Sequence, residues 1–114
     1  LVHLSLAHET FKDKTLREIS EAPRFAVVFM GGAVRLLSSD RSAFTAEQKK
    51  ALEQMDGVIS KMVKDGIKLE VCRFAVDFLG VDPESISSEI DMVANGWISS
   101  IGYQANGYAL VPIF

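Results

Sequence analysis

Phe25-Ala26-Val27-Val28-Phe29-Met30 is continuously apolar and is closed at once by Gly31-Gly32. A strand with one face in water alternates apolar and polar side chains. An unbroken apolar run instead reads as a strand covered on both faces, the habit of parallel sheets flanked by helices. The run is far short of the roughly 18 residues a membrane span needs, so no segment is expected to cross a bilayer. Elsewhere the chain alternates short apolar runs with amphipathic segments, the pattern of βα units. With 114 residues, 48% of them apolar and 24% charged, there is material for one packed core, and residues 1–114 read as a single domain.

The elements can be placed in turn. Leu1 to Leu6 reads as a first strand, followed by a weak helical stretch from Glu9 with Phe11, Leu16 and Ile19 on one side and Pro23 blocking its continuation. Phe25 to Met30 is the second strand. The longest helix spans Ala46 to Asp65, where Ala51, Leu52, Met55, Val58, Ile59, Met62 and Val63 recur at intervals of three and four. Thr45 and Gln48 form a capping-box pattern at its start, and Gly66 stands where a left-handed C-terminal cap is wanted. A third strand, Ile67 to Cys72, leads into a short helix, Phe74 to Leu79, closed by Gly80. Asp82-Pro83 reads as a further helix start. Asp91 to Ala94 reads as a fourth strand. Asn95-Gly96 opens a helix through Trp97, Ile98 and Ile101 that Asn106-Gly107 ends, before a last strand at Tyr108 to Val111. The expectation is a three-layer α/β/α domain around a mostly parallel five-stranded sheet.

In open parallel sheets, ligands collect beyond the carboxyl ends of the strands. That rule selects His8 after the first strand, Gly31-Gly32 after the second, Cys72-Arg73 after the third and Asn95-Gly96-Trp97 after the fourth, all expected along one edge. Cys72 is the sharpest of them. A thiol at a strand end, before a helix and beside Arg73, is in surroundings that favour the thiolate, the reactive form. The bland alternative is an inert buried cysteine. Gly31-Gly32 could offer backbone N–H groups to an anion. Equally, glycines simply permit a tight turn, and no Walker or dinucleotide spacing accompanies them. Met55 and Met62 read as core, and Trp97 also has a core reading.

Several functions are excluded. One cysteine can form no internal disulfide and no structural zinc site; His3 and His8 have no companions at metal-ligand spacing, so neither a metal nor another cofactor is expected. No Gly-x-Ser-x-Gly occurs, and Glu70 and Asp91 read as edge or solvent-facing charges rather than general acids. A net charge of -3 lacks the basic excess of a nucleic-acid footprint. The chain opens at Leu1 rather than Met, so a preceding segment is expected, a cleaved signal peptide being one form of it. The expected compartment is the cytoplasm.

Taken in order, Phe29-Met30-Gly31-Gly32-Ala33-Val34-Arg35-Leu36-Leu37, Leu69-Glu70-Val71-Cys72, Gly80-Val81-Asp82-Pro83-Glu84, Val93-Ala94-Asn95-Gly96 and Gly107-Tyr108-Ala109 form a series of landmarks. In this series the chain beyond Pro23 resembles the DsrE/DsrF-like sulfur-relay family. The resemblance implies a small α/β subunit that assembles into a homo-oligomer, a dimer, trimer or hexamer. It also implies a cysteine, at the position of Cys72, that carries persulfide sulfur between donor and acceptor proteins. One thiol suffices for such a hand-off, whereas a dithiol–disulfide cycle would need a resolving cysteine. The competing expectation is a non-catalytic module that uses the same strand-end cleft for a small anion or as an interface, its cysteine unreactive. Exposure of Cys72 separates the two. Self-association is expected in either case, because Trp97, Ile98, Ile101, Tyr103 and the stretch from Leu110 to Phe114 put many apolar groups where coverage is thin.

Overall fold

Leu52, Met55, Ile59 and Met62 bury one stripe of the long helix that the periodicity predicts, and they anchor the core around which the chain folds. This core is seen in a computed structural model that describes residues 1–19 and 24–113. Pro23 and Phe114 lie outside the described residues. The elements in chain order are α1 (Val2–Lys12), α2 (Lys14–Ile19), β1 (Ala26–Phe29), α3 (Ala46–Lys64), β2 (Lys68–Cys72), α4 (Arg73–Phe78), β3 (Asp91–Val93) and α5 (Gly96–Ala105), with short 3-10 turns at Gly31–Leu37 and Pro83–Ser85. No helix among the described residues is long and apolar enough to cross a membrane.

Local chemistry sets the ends of α3. The Thr45 hydroxyl accepts from the Gln48 N–H, and the Gln48 side chain accepts in return from the Thr45 N–H, so the reciprocal box forms as its spacing predicts. At the far end Gly66 has φ +85°, and the Ile67 N–H donates to the Met62 carbonyl at 3.0 Å. Only glycine adopts that conformation cheaply, and it turns the chain directly into β2.

The strands form one parallel sheet in the order β1-β2-β3, with Phe29 level with Val71 and Cys72 level with Val93. Side chains of a strand alternate between faces. Leu69 and Val71 therefore point into the main core, where both are almost fully buried, while Lys68, Glu70 and Cys72 lie on the other face. That second face is covered by α5, which packs on β1 and β2.

The sheet has three strands among the described residues, not five, and two expectations are corrected. Leu1 to Leu6 is helical. Val2, Leu4 and Leu6 alternate like a strand, but the residues that turn inward are Leu4, Ala7, His8 and Phe11, a helical stripe whose polar member disguised it. Tyr108 to Val111 forms no strand; Leu110, Val111 and Ile113 are exposed. A third difference is of degree. β1 is an edge strand and only half-buried along its length, where its apolar run implied full cover. The glycines after it lead into a 3-10 turn, with Gly31 at φ +58°.

Candidate functional site

Cys72 ends β2 and begins α4, at the carboxyl edge of the sheet. It occupies the N-cap position of α4, but its side chain caps nothing. The residue is 5% exposed. Beyond β1, Met30 stands beside it. Beyond β3, Gly96 at the start of α5 presses onto it: a Cβ on Gly96 would lie 2.7 Å from Met30 Cγ and Sδ and 3.1 Å from Cys72 Cβ. The glycine is therefore what lets α5 come down onto the thiol-bearing residue. A hydrogen bond from the Phe74 N–H to the Ala94 carbonyl, 3.3 Å, ties the start of α4 to the end of β3.

The carboxyl edge gathers most of the residues that topology selects. Gly31 and Gly32 follow β1, Cys72 and Arg73 follow β2, and Asn95 and Trp97 follow β3. Their roles in place differ from those that spacing suggests. Arg73 donates from Nε to Asp77 Oδ1 at 2.9 Å and from Nη1 to Met92 Sδ at 3.7 Å, so its charge is spent along α4 and beside β3. Asn95 caps α5, its side-chain oxygen accepting from the Trp97 N–H at 2.9 Å. Trp97 is 73% exposed and belongs to no core. Gly31 and Gly32 are exposed and open to their surroundings.

His8 is not part of this edge. It sits on α1 rather than after a strand, and its Nε2 lies 2.6 Å from Asp65 Oδ2, just past the end of α3 and before β2 begins. That is the opposite end of the sheet, where the buried ring joins the N-terminal helix to α3.

Glu70, expected to face solvent, is buried at 6% exposure on the central strand. One of its oxygens accepts from the Tyr103 hydroxyl of α5 at 2.7 Å, and the other, Oε1, finds no partner among the described residues. Burial, and then the Glu70 carboxylate that its hydrogen bond engages, push the Tyr103 hydroxyl well above the usual tyrosine range. The Tyr108 ring packs 4.9 Å from that of Tyr103. Glu70 and Cys72 are two residues apart on one face of β2, and α5 covers both. The parity of β2, taken with the helix to follow, is the signal that could have placed Glu70 under cover.

Elsewhere, an open groove of about 720 Å³ runs between α3 and the segment before β3, lined by Arg41, Asp56, Ser60, Ser85 and Glu89 among others. It takes in no residue of the carboxyl edge. Arg41 spans part of it, bound to Asp56 at 2.8 Å. Among the described residues no three His, Cys, Asp or Glu side chains gather at metal-ligand spacing.

The chain matches a family model described as the DsrE/DsrF-like family over residues 3–113, so the match extends across the N-terminal helix as well as the later landmarks. Among solved structures it is similar to one titled "Structure of Protein of Unknown Function MTH1491 from Methanobacterium thermoautotrophicum", with a TM-score of 0.68 and 19% identity, covering 96% of this chain and 83% of that one. At that identity the likeness shows a shared fold. No curated protein matches the chain.

Proposed function

From the premise that the chain belongs to the DsrE/DsrF-like family, we propose that it is a sulfur-relay protein that carries sulfane sulfur on Cys72. The observation that carries the reading is the position of the one cysteine in the sequence, at the carboxyl end of the central strand of a parallel sheet, where such folds place their chemistry. The reaction needs no second thiol and no oxidant. The Cys72 thiolate attacks the outer sulfur of a donor persulfide, the donor's S–S bond breaks, and the donor departs as a thiolate while Cys72 keeps the sulfane sulfur. An acceptor thiolate takes it by the same exchange in reverse. The donor and acceptor are thiol-bearing partners.

Self-association accompanies this reading. Trp97, Ile98 and Ile101 point outward from α5, and Phe74 and Phe78, stacked 6.1 Å apart, point outward from α4. Apolar surface arranged in this way marks an interface, and a homo-oligomer would cover it.

One observation favours a second reading. Cys72 is buried and Arg73 is turned to Asp77, an arrangement that suits a non-catalytic module whose cysteine is only packed. Cyanide separates the two. It attacks the outer sulfur of a persulfide, leaving as thiocyanate and restoring the thiolate. After treatment with a sulfane donor and removal of the excess, the wild-type chain is expected to yield thiocyanate in proportion to protein, and Cys72→Ser none. Equal yields from both would leave the packed-cysteine reading.

A further inference from the structure

We propose that α5 is a detachable cover over Cys72 and that the hydrogen bond from Tyr103 to Glu70 is its latch. As the route by which a sulfane donor reaches the thiol, this rests on the relay reading; as a statement about access to Cys72, it does not.

The cover is held in an unusual way. A helix docked on a sheet ordinarily buries its apolar stripe there. In α5 the apolar residues Trp97, Ile98 and Ile101 are exposed at 73%, 69% and 66%, and the only fully buried position is Gly96. The half-buried positions that remain are Ser99, Ser100, Gly102 and Tyr103. Ser99, Ser100 and Gly102 bury little area, so the apolar contribution of α5 to docking comes down to the half-buried ring of Tyr103. Beside that ring stand the seat of Gly96 on Met30 and Cys72 and, among the described residues, one side-chain hydrogen bond to the sheet, from Tyr103 to Glu70. Elements with few buried apolar contacts are the ones that open locally while the rest of a fold stays intact. A ten-residue helix is marginal in water once released, so undocking would fray it and lift Gly96 from Cys72 as well.

The latch carries its own opposing force. Glu70 is a carboxylate on the central strand with Oε1 unpaired among the described residues. Closure keeps that oxygen from water, and opening rehydrates it. The bond to Tyr103 holds the cover down while the buried charge pushes it up, so the two halves of the pair have opposite effects on access. Tyr103→Phe removes the bond and leaves the carboxylate with no partner, which favours the open form. Glu70→Gln keeps an oxygen to accept from Tyr103 and removes the charge. A neutral amide costs far less to keep from water than an ionised carboxylate, and on this proposal that relief exceeds the loss of a charge-assisted bond, so the closed form gains.

The test is the rate at which excess iodoacetamide alkylates Cys72 at pH 8 in the folded protein, with the denaturation midpoint of each variant measured alongside. Tyr103→Phe is expected to react about tenfold faster than wild type, the effect of losing one hydrogen bond to a charged group. Glu70→Gln is expected to react more slowly. Met55→Ala, in the core stripe of α3 on the other side of the sheet, serves as the comparison: it lowers the midpoint without touching the cover and is expected to leave the alkylation rate near wild type, so a rate raised there as much as in Tyr103→Phe, or no change in either latch variant, overturns the proposal. If Tyr103→Phe fails to fold, the slowing in Glu70→Gln decides alone. Failure here is distinct from failure of the relay reading. Opposite shifts in alkylation with no sulfur loading keep the cover and remove the relay; sulfur loading with alkylation indifferent to both variants does the reverse.

Discussion

Gly96 shows how one missing side chain positions the site. An alanine Cβ there would meet the Met30 side chain at 2.7 Å and Cys72 Cβ at 3.1 Å, distances at which neighbours have to move. Overpacking of this kind costs about 1–3 kcal/mol, against the roughly 0.5–1 kcal/mol that alanine regains over glycine in a helix. Gly96→Ala is therefore expected to lower the denaturation midpoint and to leave Cys72 more open to alkylation; a variant as stable and as closed as wild type would contradict the close seat of α5. At this scale the site was partly legible. Cys72 at a strand end and Asn95 as a helix start follow from local pattern, because strand termini and caps depend on neighbours in sequence. The roles of Arg73 and Glu70 do not. A guanidinium chooses among partners that only the folded helix presents, here Asp77, and Glu70 is covered by a tyrosine 33 residues away.

Elements whose ends are written in local chemistry were the ones that could be read. The capping box at Thr45 and the left-handed Gly66 bracket α3 as their spacing implies. The strand before Cys72 and the short helix after it also stand where the apolar pattern puts them. The N-terminal segment is helical where alternation implies a strand because three alternating apolar residues satisfy a period of two and the start of a period of 3.6 alike. The inward stripe becomes visible only when His8 is counted with Leu4, Ala7 and Phe11, and a buried histidine paired with Asp65 is not a hydrophobic signal. The tail from Tyr108 fails as a strand for another reason. Strand propensity is realised only against a partner edge, and Tyr108, in the segment after α5, packs on Tyr103 rather than on the sheet.

On the scale of the whole molecule, the face of the sheet that carries Glu70 and Cys72 is covered, among the described residues, by α5, and that helix shows its apolar side outward. A chain arranged in this way is expected to bury α5 against another copy of itself. Light scattering coupled to size exclusion is expected to give a multiple of the single-chain mass at micromolar concentration, and Ile98→Asp with Ile101→Asp, both outward-facing, is expected to shift it toward the single-chain value; a monomeric wild type would remove the oligomer from the account. Such an assembly would restrain the cover over Cys72, which links the interface to access at the site. Whether Cys72 carries sulfane sulfur is read from intact mass after incubation with a sulfane donor. The folded wild-type chain is expected to gain the mass of one sulfur atom and to lose it on reduction, while Cys72→Ser gains nothing; a wild-type chain that takes up no sulfur, or a variant that takes up as much, would rule out a carrier role for Cys72.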